Sequence, residues 1–167
     1  MSAVSLPRRP RSIGARRTIA IIASLYNEEY VSGLIEAAND ELIRISPNAA
    51  VPLYRVPGAF EIPVCAEYVA RKTQVDAIIA LGVVIRGETS HADLIGTSVT
   101  NALQNLATST LIPIIHEVIL CASEEQARIR CLDPEYNRGI EAARAAVNMS
   151  ELFARLNTVN ATAKTHG

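Results

Sequence analysis

The fold is decided by residues 18–47, which read TIAIIASLYNEEYVSGLIEAANDELIRISP. The first part, Thr18–Leu25, is apolar and rich in isoleucine, which is typical of a strand buried on both faces of a parallel sheet. The rest repeats apolar residues at intervals of three and four, which predicts an amphipathic helix that ends before Pro47. The repeating positions are Val31, Leu34, Ile35, Ala38, Leu42 and Ile45.

The same alternation continues along the chain. Further strands are predicted at Val51–Val56, Val75–Ile85 and Leu111–Cys121, and further helices at residues 60–72, 90–109, 123–131 and 138–156. Ser123 and Gln126 are expected to form a capping box. Because strands alternate with helices, we expect an α/β fold: a three-layer α/β/α sandwich around a four-stranded parallel sheet with flavodoxin-like winding.

Composition places the chain among globular proteins of one domain. It has 167 residues, of which 49% are hydrophobic and 20% charged, and a formal net charge of -1. This excludes a disordered chain, and no apolar run reaches the roughly 18 residues of a membrane span. The chain has three cysteines, Cys65, Cys121 and Cys131, none in a CxxC pair, and its three histidines are scattered. This pattern favours neither a disulfide framework nor a zinc site. We expect a cytoplasmic protein without membrane contact.

Positive charge is concentrated at the start of the chain. Residues 1–17 carry five arginines and no acid. Two interpretations of this segment, an export signal at Arg16-Arg17 and an organelle transit peptide, are disfavoured. The apolar run continues into Tyr26-Asn27 without a cleavage site. The body behind this tail is acidic and poor in aromatics, so no nucleic-acid partner is expected. The expected division is a basic disordered tail at 1–16, one domain at 17–157 and a flexible C-terminal tail at 158–167.

The loops after the strands are where a site is expected, because ligands of such sheets bind beyond the carboxyl ends of the strands. Tyr26 follows the first strand, residues 57–61 (PGAFE) follow the second, and residues 86–91 (RGETSH) follow the third. The last segment combines a glycine, two hydroxyls and a helix start, whose N–H groups favour an anion. The motifs GxxxxGK[ST] and GxGxxG are both absent. A small molecule that carries a phosphate is predicted.

The charged candidates in these loops also have structural explanations. His91 is either a proton-transferring group or a helix-start histidine bonded to Asp93. Glu61 and Glu88 are either an acid and a base or carboxylates that interact with a helix dipole. Arg130 is either a phosphate ligand or an arginine that compensates the dipole at the end of a helix.

The remaining candidates divide in the same way. Tyr26 and Phe60 either stack on a planar ring or pack in the core or at its rim. Cys121 is expected to be a buried strand residue. The only lysines, Lys72 and Lys164, lie outside the strand-end loops, so a lysine Schiff base is disfavoured and any imine chemistry needs an amine from the substrate.

Four motifs, in this order, carry a resemblance to a known family. They are residues 56–63 (VPGAFEIP), residues 80–91 (ALGVVIRGETSH), Glu125-Gln-Ala127 with Arg130, and Asn137-Arg-Gly139 before an alanine-rich helix. Over roughly residues 17–155 the chain resembles the 6,7-dimethyl-8-ribityllumazine synthase family, and the second motif is highly specific to it. The resemblance implies that 5-amino-6-(D-ribitylamino)uracil condenses with 3,4-dihydroxy-2-butanone 4-phosphate, without metal or organic cofactor, in riboflavin biosynthesis.

The resemblance also implies roles for single residues. His91 corresponds to the family's proton-transferring histidine, Arg130 to its phosphate-binding arginine, and Tyr26 to the aromatic residue that stacks on the pyrimidine. The other implied contacts are Ala59, Phe60 and Glu61 along the ribityl chain, Val83, Val84 and Ile85 at the pyrimidine edge, and Gly87, Glu88 and Thr89 around the phosphate. Arg86 belongs to the second motif without an assigned contact.

The chain departs from the family pattern at three places. His116 stands where the family usually presents an aromatic residue, commonly Phe, from the neighbouring subunit; the alternative is a satisfied core histidine. Ala92 also replaces a usual aromatic residue, and Cys131–Tyr136 replaces a linker that contains glycine and lysine. These changes put substrate affinity and higher assembly in question, but not the reaction class.

The resemblance implies a homopentamer with sites at its subunit interfaces. The short linker favours further assembly into a 60-subunit shell, whereas Pro134 and the arginine- and proline-containing tail oppose it, so the shell stays open. Two alternatives to an enzyme remain at this point: a flavin- or lumazine-binding module without activity, and a protein whose main role is to form a shell.

Overall fold

The computed structural model describes residues 8–10, 16–87 and 90–164, with side chains as far as Val159. The strands are β1 (Ile19–Ser24), β2 (Leu53–Val56), β3 (Ala77–Ile85) and β4 (Ile114–Cys121). The helices are α1 (Glu28–Ile45), α2 (Ile62–Lys72), α3 (His91–Thr110), α4 (Glu124–Cys131) and α5 (Arg138–Lys164), and a 3₁₀ turn (Ala59–Glu61) precedes α2.

The four strands form one parallel sheet in the order β2-β1-β3-β4. Ser24 pairs with Val56, and Ala23 pairs with Leu81, so the strands deliver their following loops to one edge of the sheet. This confirms the predicted α/β sandwich and its flavodoxin-like winding. In the described sheet, β2 and β4 are the outer strands.

Helices cover both faces of the sheet. Ile19 and Ile21 pack with apolar residues of α1, α4 and α5, whereas Ala20 and Ile22 pack with α2 and α3. Every residue of β1 is buried, which explains why its sequence is a continuous apolar run rather than an alternation. The sheet is therefore the middle of three layers.

Several predicted boundaries move by a few residues. β4 begins at Ile114 rather than at Leu111, because Leu111 ends α3 in the left-handed region with φ 56. Residues 59–61 form the 3₁₀ turn before α2 begins. α5 continues past its predicted end at residue 156 to Lys164, since 157–164 contain no proline or glycine to end it. Residues 1–7, 11–15 and 165–167 of the predicted tails lie outside the described residues.

The predicted capping box is half correct. The Ser123 hydroxyl accepts the N–H of Gln126 at 3.2 Å, as expected. The Gln126 side chain accepts the N–H of Ala122 at 2.7 Å rather than that of Ser123. The helix start is capped from both sides, with the second bond shifted by one residue.

The Asn137-Arg-Gly139 motif joins α5 to α1. Asn137 Oδ1 accepts the N–H of Gly139 at 2.8 Å and caps α5. Asn137 Nδ2 donates to the carbonyl oxygens of Gly33 and Cys131. A β-carbon at position 139 would overlap the backbone carbonyl of Leu34, so only glycine permits this approach. No helix in the described part of the chain is long and apolar enough to cross a membrane.

Candidate active site

The loops after β1 and β2 are joined through their backbones at the carboxyl end of the sheet. The N–H of Leu25 donates to Val56 O at 2.8 Å, and the N–H of Tyr26 donates to Pro57 O at 3.2 Å. Arg55 Nη2 donates to Ser24 O at 3.1 Å. Tyr26 is therefore held beside the loop that carries the PGAFE motif.

Tyr26 lies across Gly58. A β-carbon at position 58 would lie 3.1 Å from Tyr26 Cδ2, so a larger residue there would press on the ring. Tyr26 is 72% exposed and Phe60 is 58% exposed. Core packing is therefore wrong for both side chains, and their location at the rim is compatible with stacking on a planar ligand.

Glu61 caps the turn in which it lies. Its Oε2 accepts the N–H of Gly58 at 2.8 Å, in the arrangement expected of a carboxylate at the start of a helix. Ala59, at the start of the same turn, is buried. The structural explanation of Glu61, a carboxylate at the start of a helix, is therefore observed. One of its carboxylate oxygens already accepts a hydrogen bond.

Asn27 connects the first loop to the third strand, a function that the sequence analysis missed. It adopts the left-handed conformation with φ 56 immediately before α1. Its Nδ2 donates to Val83 O at 2.8 Å. The sequence feature that indicates this role is an asparagine, a common turn residue, directly before a helix. The Asn27 side chain makes no capping hydrogen bond to α1. Val84 and Ile85, which follow Val83, are only partly buried at this rim.

The third loop is spanned by an ion pair. Arg86 Nη2 lies 2.6 Å from Asp93 Oδ1, and both side chains are about half exposed. The proposed pairing of Asp93 with His91 is therefore not observed. Gly87 is exposed, whereas Glu88 and Thr89 lie outside the described residues.

His91 is exposed and is the first residue of α3, as predicted for the loop-to-helix junction. Within the described residues, the structure records no hydrogen bond to its imidazole. The N-terminus of α3 therefore presents His91 next to backbone N–H groups that favour an anion. This geometry suits a proton-transfer group beside a phosphate.

His116 lies in the middle of β4 and is partly buried. It pairs with Ala80, whereas Ile119, three residues further on, pairs with Val83. At about 3.3 Å per residue, His116 is set back from the rim by about 10 Å. Burial lowers its pKa below the ordinary 6.5. Within one chain, His116 does not join the side chains around Tyr26.

Arg130 is the other site residue on the β4 side of the chain. It lies in the last turn of α4, on the layer opposite the 3₁₀ turn and α2, and it is exposed. Its charge opposes the effect of burial, which raises the pKa of Cys121 at the end of β4. Cys121 is buried, as predicted. One chain thus brings together the rim residues and leaves His116 and Arg130 at its β4 side.

An ion pair that involves the buried Glu117, in the middle of β4, was not predicted. Glu117 accepts from Arg138 Nε and Nη2, each at 3.2 Å. Arg138 also pairs with Glu141 at 2.7 Å. Burial raises the pKa of Glu117, and Arg138 opposes that shift. The arginine of the Asn137-Arg-Gly139 motif therefore neutralises a buried carboxylate.

Comparison with known proteins gives the same family as the sequence motifs. The family model of 6,7-dimethyl-8-ribityllumazine synthase matches residues 16–154, which include all four strands. A relative from Aquifex aeolicus (strain VF5), named 6,7-dimethyl-8-ribityllumazine synthase, is 42% identical over 137 residues, covering 81% of this chain and 89% of the relative. The chain belongs to the 6,7-dimethyl-8-ribityllumazine synthase family.

Proposed function

We propose that the protein is a lumazine synthase that works as a homopentamer, with each active site completed by the neighbouring subunit. It condenses 5-amino-6-(D-ribitylamino)uracil with 3,4-dihydroxy-2-butanone 4-phosphate to 6,7-dimethyl-8-ribityllumazine and releases phosphate and water. The observation that supports the shared site is that, in one chain, His116 lies on β4 and is set back from the rim, and Arg130 lies on α4, on the layer opposite α2. A second copy that presents its β4 side to the rim brings the two groups together.

The rim side of the chain offers an apolar surface to such a copy. Phe60, Val64 and Tyr68 are 58%, 69% and 66% exposed and follow one another at intervals of four residues. This exposed stripe borders a groove of about 280 Å³ between α2 and α3. Exposed apolar surface of this kind is typical of a contact between proteins. The exposure of these three side chains supports the proposal that another subunit covers them.

The pyrimidine end of the site uses the groups around Gly58. In the proposed complex, Tyr26 stacks on the ring, and the ring edge meets the backbone of Val83, Val84 and Ile85. Ala59, Phe60 and Glu61 follow the ribityl chain. Glu61 keeps its cap on Gly58 through Oε2. Its other oxygen then accepts from a ribityl hydroxyl.

The phosphate end lies at the start of α3. Gly87, Glu88 and Thr89 frame the phosphate, Arg130 of the neighbouring subunit pairs with it, and His91 transfers protons during the condensation. Holding two substrates together contributes about 7–11 kcal/mol to lowering the barrier. A positioned histidine typically adds about 10²–10⁴-fold in rate.

A turnover assay with both substrates, followed by absorbance of the product, tests the function. Product formation is expected, and tight flavin binding without product would identify a binding module instead. Light scattering tests the assembly. A mass of five chains supports a pentamer alone, a mass of sixty chains supports a shell of pentamers, and an active monomer would refute the shared site.

We also propose a cytoplasmic location. Cys65, Cys121 and Cys131 are all free thiols. Free thiols are usual in a reducing compartment. Fractionation of the host cell, with a cytoplasmic marker enzyme as reference, tests the location.

A further inference from the structure

Two hydrogen bonds from different elements fix the ring of His116. The N–H of Val118 donates to His116 Nδ1 at 3.1 Å. His116 Nε2 lies 2.7 Å from Thr100 Oγ1, on α3. A backbone amide can only donate, so Nδ1 is the acceptor and carries no proton. The neutral imidazole then has its proton on Nε2, which donates to the Thr100 hydroxyl.

The ring lies at the outer edge of the sheet. The carbonyl oxygens of Pro113 and Cys121 accept hydrogen bonds from the N–H groups of Ile78, in β3, and Arg86, which follows β3. The odd-numbered residues of β4 therefore direct their backbone groups towards β3. His116 and Val118 alternate with these residues and direct theirs away from β3, because backbone groups in a strand alternate in direction. Val118 belongs to the core on the α3 side of the sheet, which is also where Thr100 meets the His116 ring.

An imidazole at this position needs an orientation that a phenyl ring does not. Rotating a phenyl ring by half a turn reproduces the same contacts, whereas rotating an imidazole exchanges its nitrogens and carbons. Val118 and Thr100 accept only one of the two imidazole orientations. Burial also lowers the pKa of His116, which favours the neutral ring.

We propose that Thr100 is a positioning residue, whose hydroxyl holds the His116 ring in one orientation for stacking on the pyrimidine in the neighbouring subunit's site. This inference rests on the proposed function, because it needs His116 to reach that site. Thr100 acts through His116 and touches no substrate. It lets the imidazole ring of His116 take the position at which the family commonly presents Phe.

A double-mutant cycle tests the inference in the full-length assembly. Thr100→Val should raise the KM for the pyrimidine by about threefold to tenfold, the effect of one hydrogen bond, with kcat within about twofold of the wild type. Thr100→Ser should restore the wild-type KM. In a His116→Phe background, Thr100→Val should cause no further rise, because the phenyl ring does not use the hydroxyl.

A matched control is Thr108→Val, on the same helix. The Thr108 hydroxyl donates only to carbonyl groups of its own helix, those of Gln104 and Asn105. Both kinetic constants should therefore stay at the wild-type values. An equal rise in KM for Thr100→Val in both backgrounds, or no rise in either, would overturn the inference.

Nitrogen-15 magic-angle-spinning NMR of the sedimented protein reads the tautomer without turnover. The His116 signals are identified by their loss in His116→Phe. We expect an unprotonated Nδ1 and a protonated Nε2 in the wild type, and in Thr100→Val we expect the Nε2 signal to shift, because the proton on Nε2 loses its acceptor. A wild type that turns over but carries its proton on Nδ1 would overturn this inference and leave the proposed function standing. A wild type without turnover would overturn the proposed function.

Discussion

Asn27 Nδ2 donates a hydrogen bond of 2.8 Å to the carbonyl oxygen of Val83. The bond spans 56 residues of sequence and joins the loop that carries Tyr26 to the strand that leads to the Arg86–His91 loop. Asn27 also supplies the left-handed conformation with which α1 begins. One side chain thus sets the distance between two walls of the candidate site.

Replacing Asn27 separates these two contributions. Asn27→Gly loses only the hydrogen bond and should lower the free energy of unfolding by about 1 kcal/mol. Asn27→Ala loses the same bond but keeps a β-carbon in the left-handed region, so it should be about 1–2 kcal/mol less stable than Asn27→Gly. Thermal and urea unfolding measure both variants. A glycine variant as stable as the wild type would contradict the contribution of the bond.

His91→Ala should lower the turnover number by about one to three orders of magnitude, because a general acid–base group is lost. His91 is exposed at the start of α3, so the melting temperature should stay close to that of the wild type. Steady-state kinetics and a thermal scan on the same preparation measure both effects. Wild-type turnover in this variant would remove His91 from the mechanism.

Arg130→Ala should raise the KM for the butanone phosphate by about tenfold to a hundredfold, since a charge-assisted contact is removed. The KM for the pyrimidine should change much less. Inorganic phosphate should compete with the butanone phosphate in the wild type and less well in the variant. Equal changes in both KM values would argue against a phosphate contact.

Arg128→Ala is the matched control for Arg130. Arg128 lies on the same short helix and pairs with Glu125 at 2.9 Å on the exposed surface. Such pairs contribute little to stability. Both KM values should therefore stay at those of the wild type. A rise in the KM for the phosphate substrate would show that loss of any positive charge on α4 weakens binding.

The order of strands and helices was predictable because the burial of each element leaves a pattern in its sequence. β1 is buried on both faces and reads as a continuous apolar run, and α1 shows its buried stripe at helical intervals. The start of β4 was misplaced because Leu111 looks like a strand residue. Its left-handed conformation depends on where α3 ends, which apolar character does not reveal.

The polar partners of the fold were less predictable, because they join residues distant in sequence. Glu41 is 1% exposed on the buried side of α1, where its charge is met by Arg144 at 2.7 Å and Arg9 at 3.1 Å. A charged residue in a helix is ordinarily expected at the surface. Only the packing of α5 on α1 shows that a buried carboxylate has arginine partners.

The candidate site was predictable as a set of loops and not as a set of contacts. The rule that ligands bind at the carboxyl ends of parallel strands identified the loops of Tyr26, Phe60 and His91. It gave no account of Asn27 or Thr100, which act through hydrogen bonds to other elements. Their polar character is ordinary for a turn and a helix surface.

Glu117 should make stability depend on pH. Burial raises its pKa above the ordinary 4.5, so the folded state binds a proton more readily than the unfolded state. The contribution of Glu117 is therefore fully present below pH 4.5 and falls as pH rises through the higher pKa of the folded state. Urea unfolding of the wild type and Glu117→Gln across this range measures the difference.

The stability of the wild type relative to Glu117→Gln should decrease as pH rises and then become constant. A difference that does not change with pH would show that Glu117 has the same pKa in both states. Glu141→Gln gives a comparison, because Glu141 pairs with the same Arg138 but is less deeply buried.

The central claim is that each site is shared between two subunits, and mixing two defective variants tests it most directly. His91→Ala damages the rim side of the site, and Arg130→Ala damages the neighbour's side. Unfolding the two together and refolding them at equal amounts should leave about a quarter of the interfaces with both sides intact. At low butanone phosphate, activity should then rise well above that of either variant refolded alone. Activity equal to the mean of the two variants would contradict a shared site.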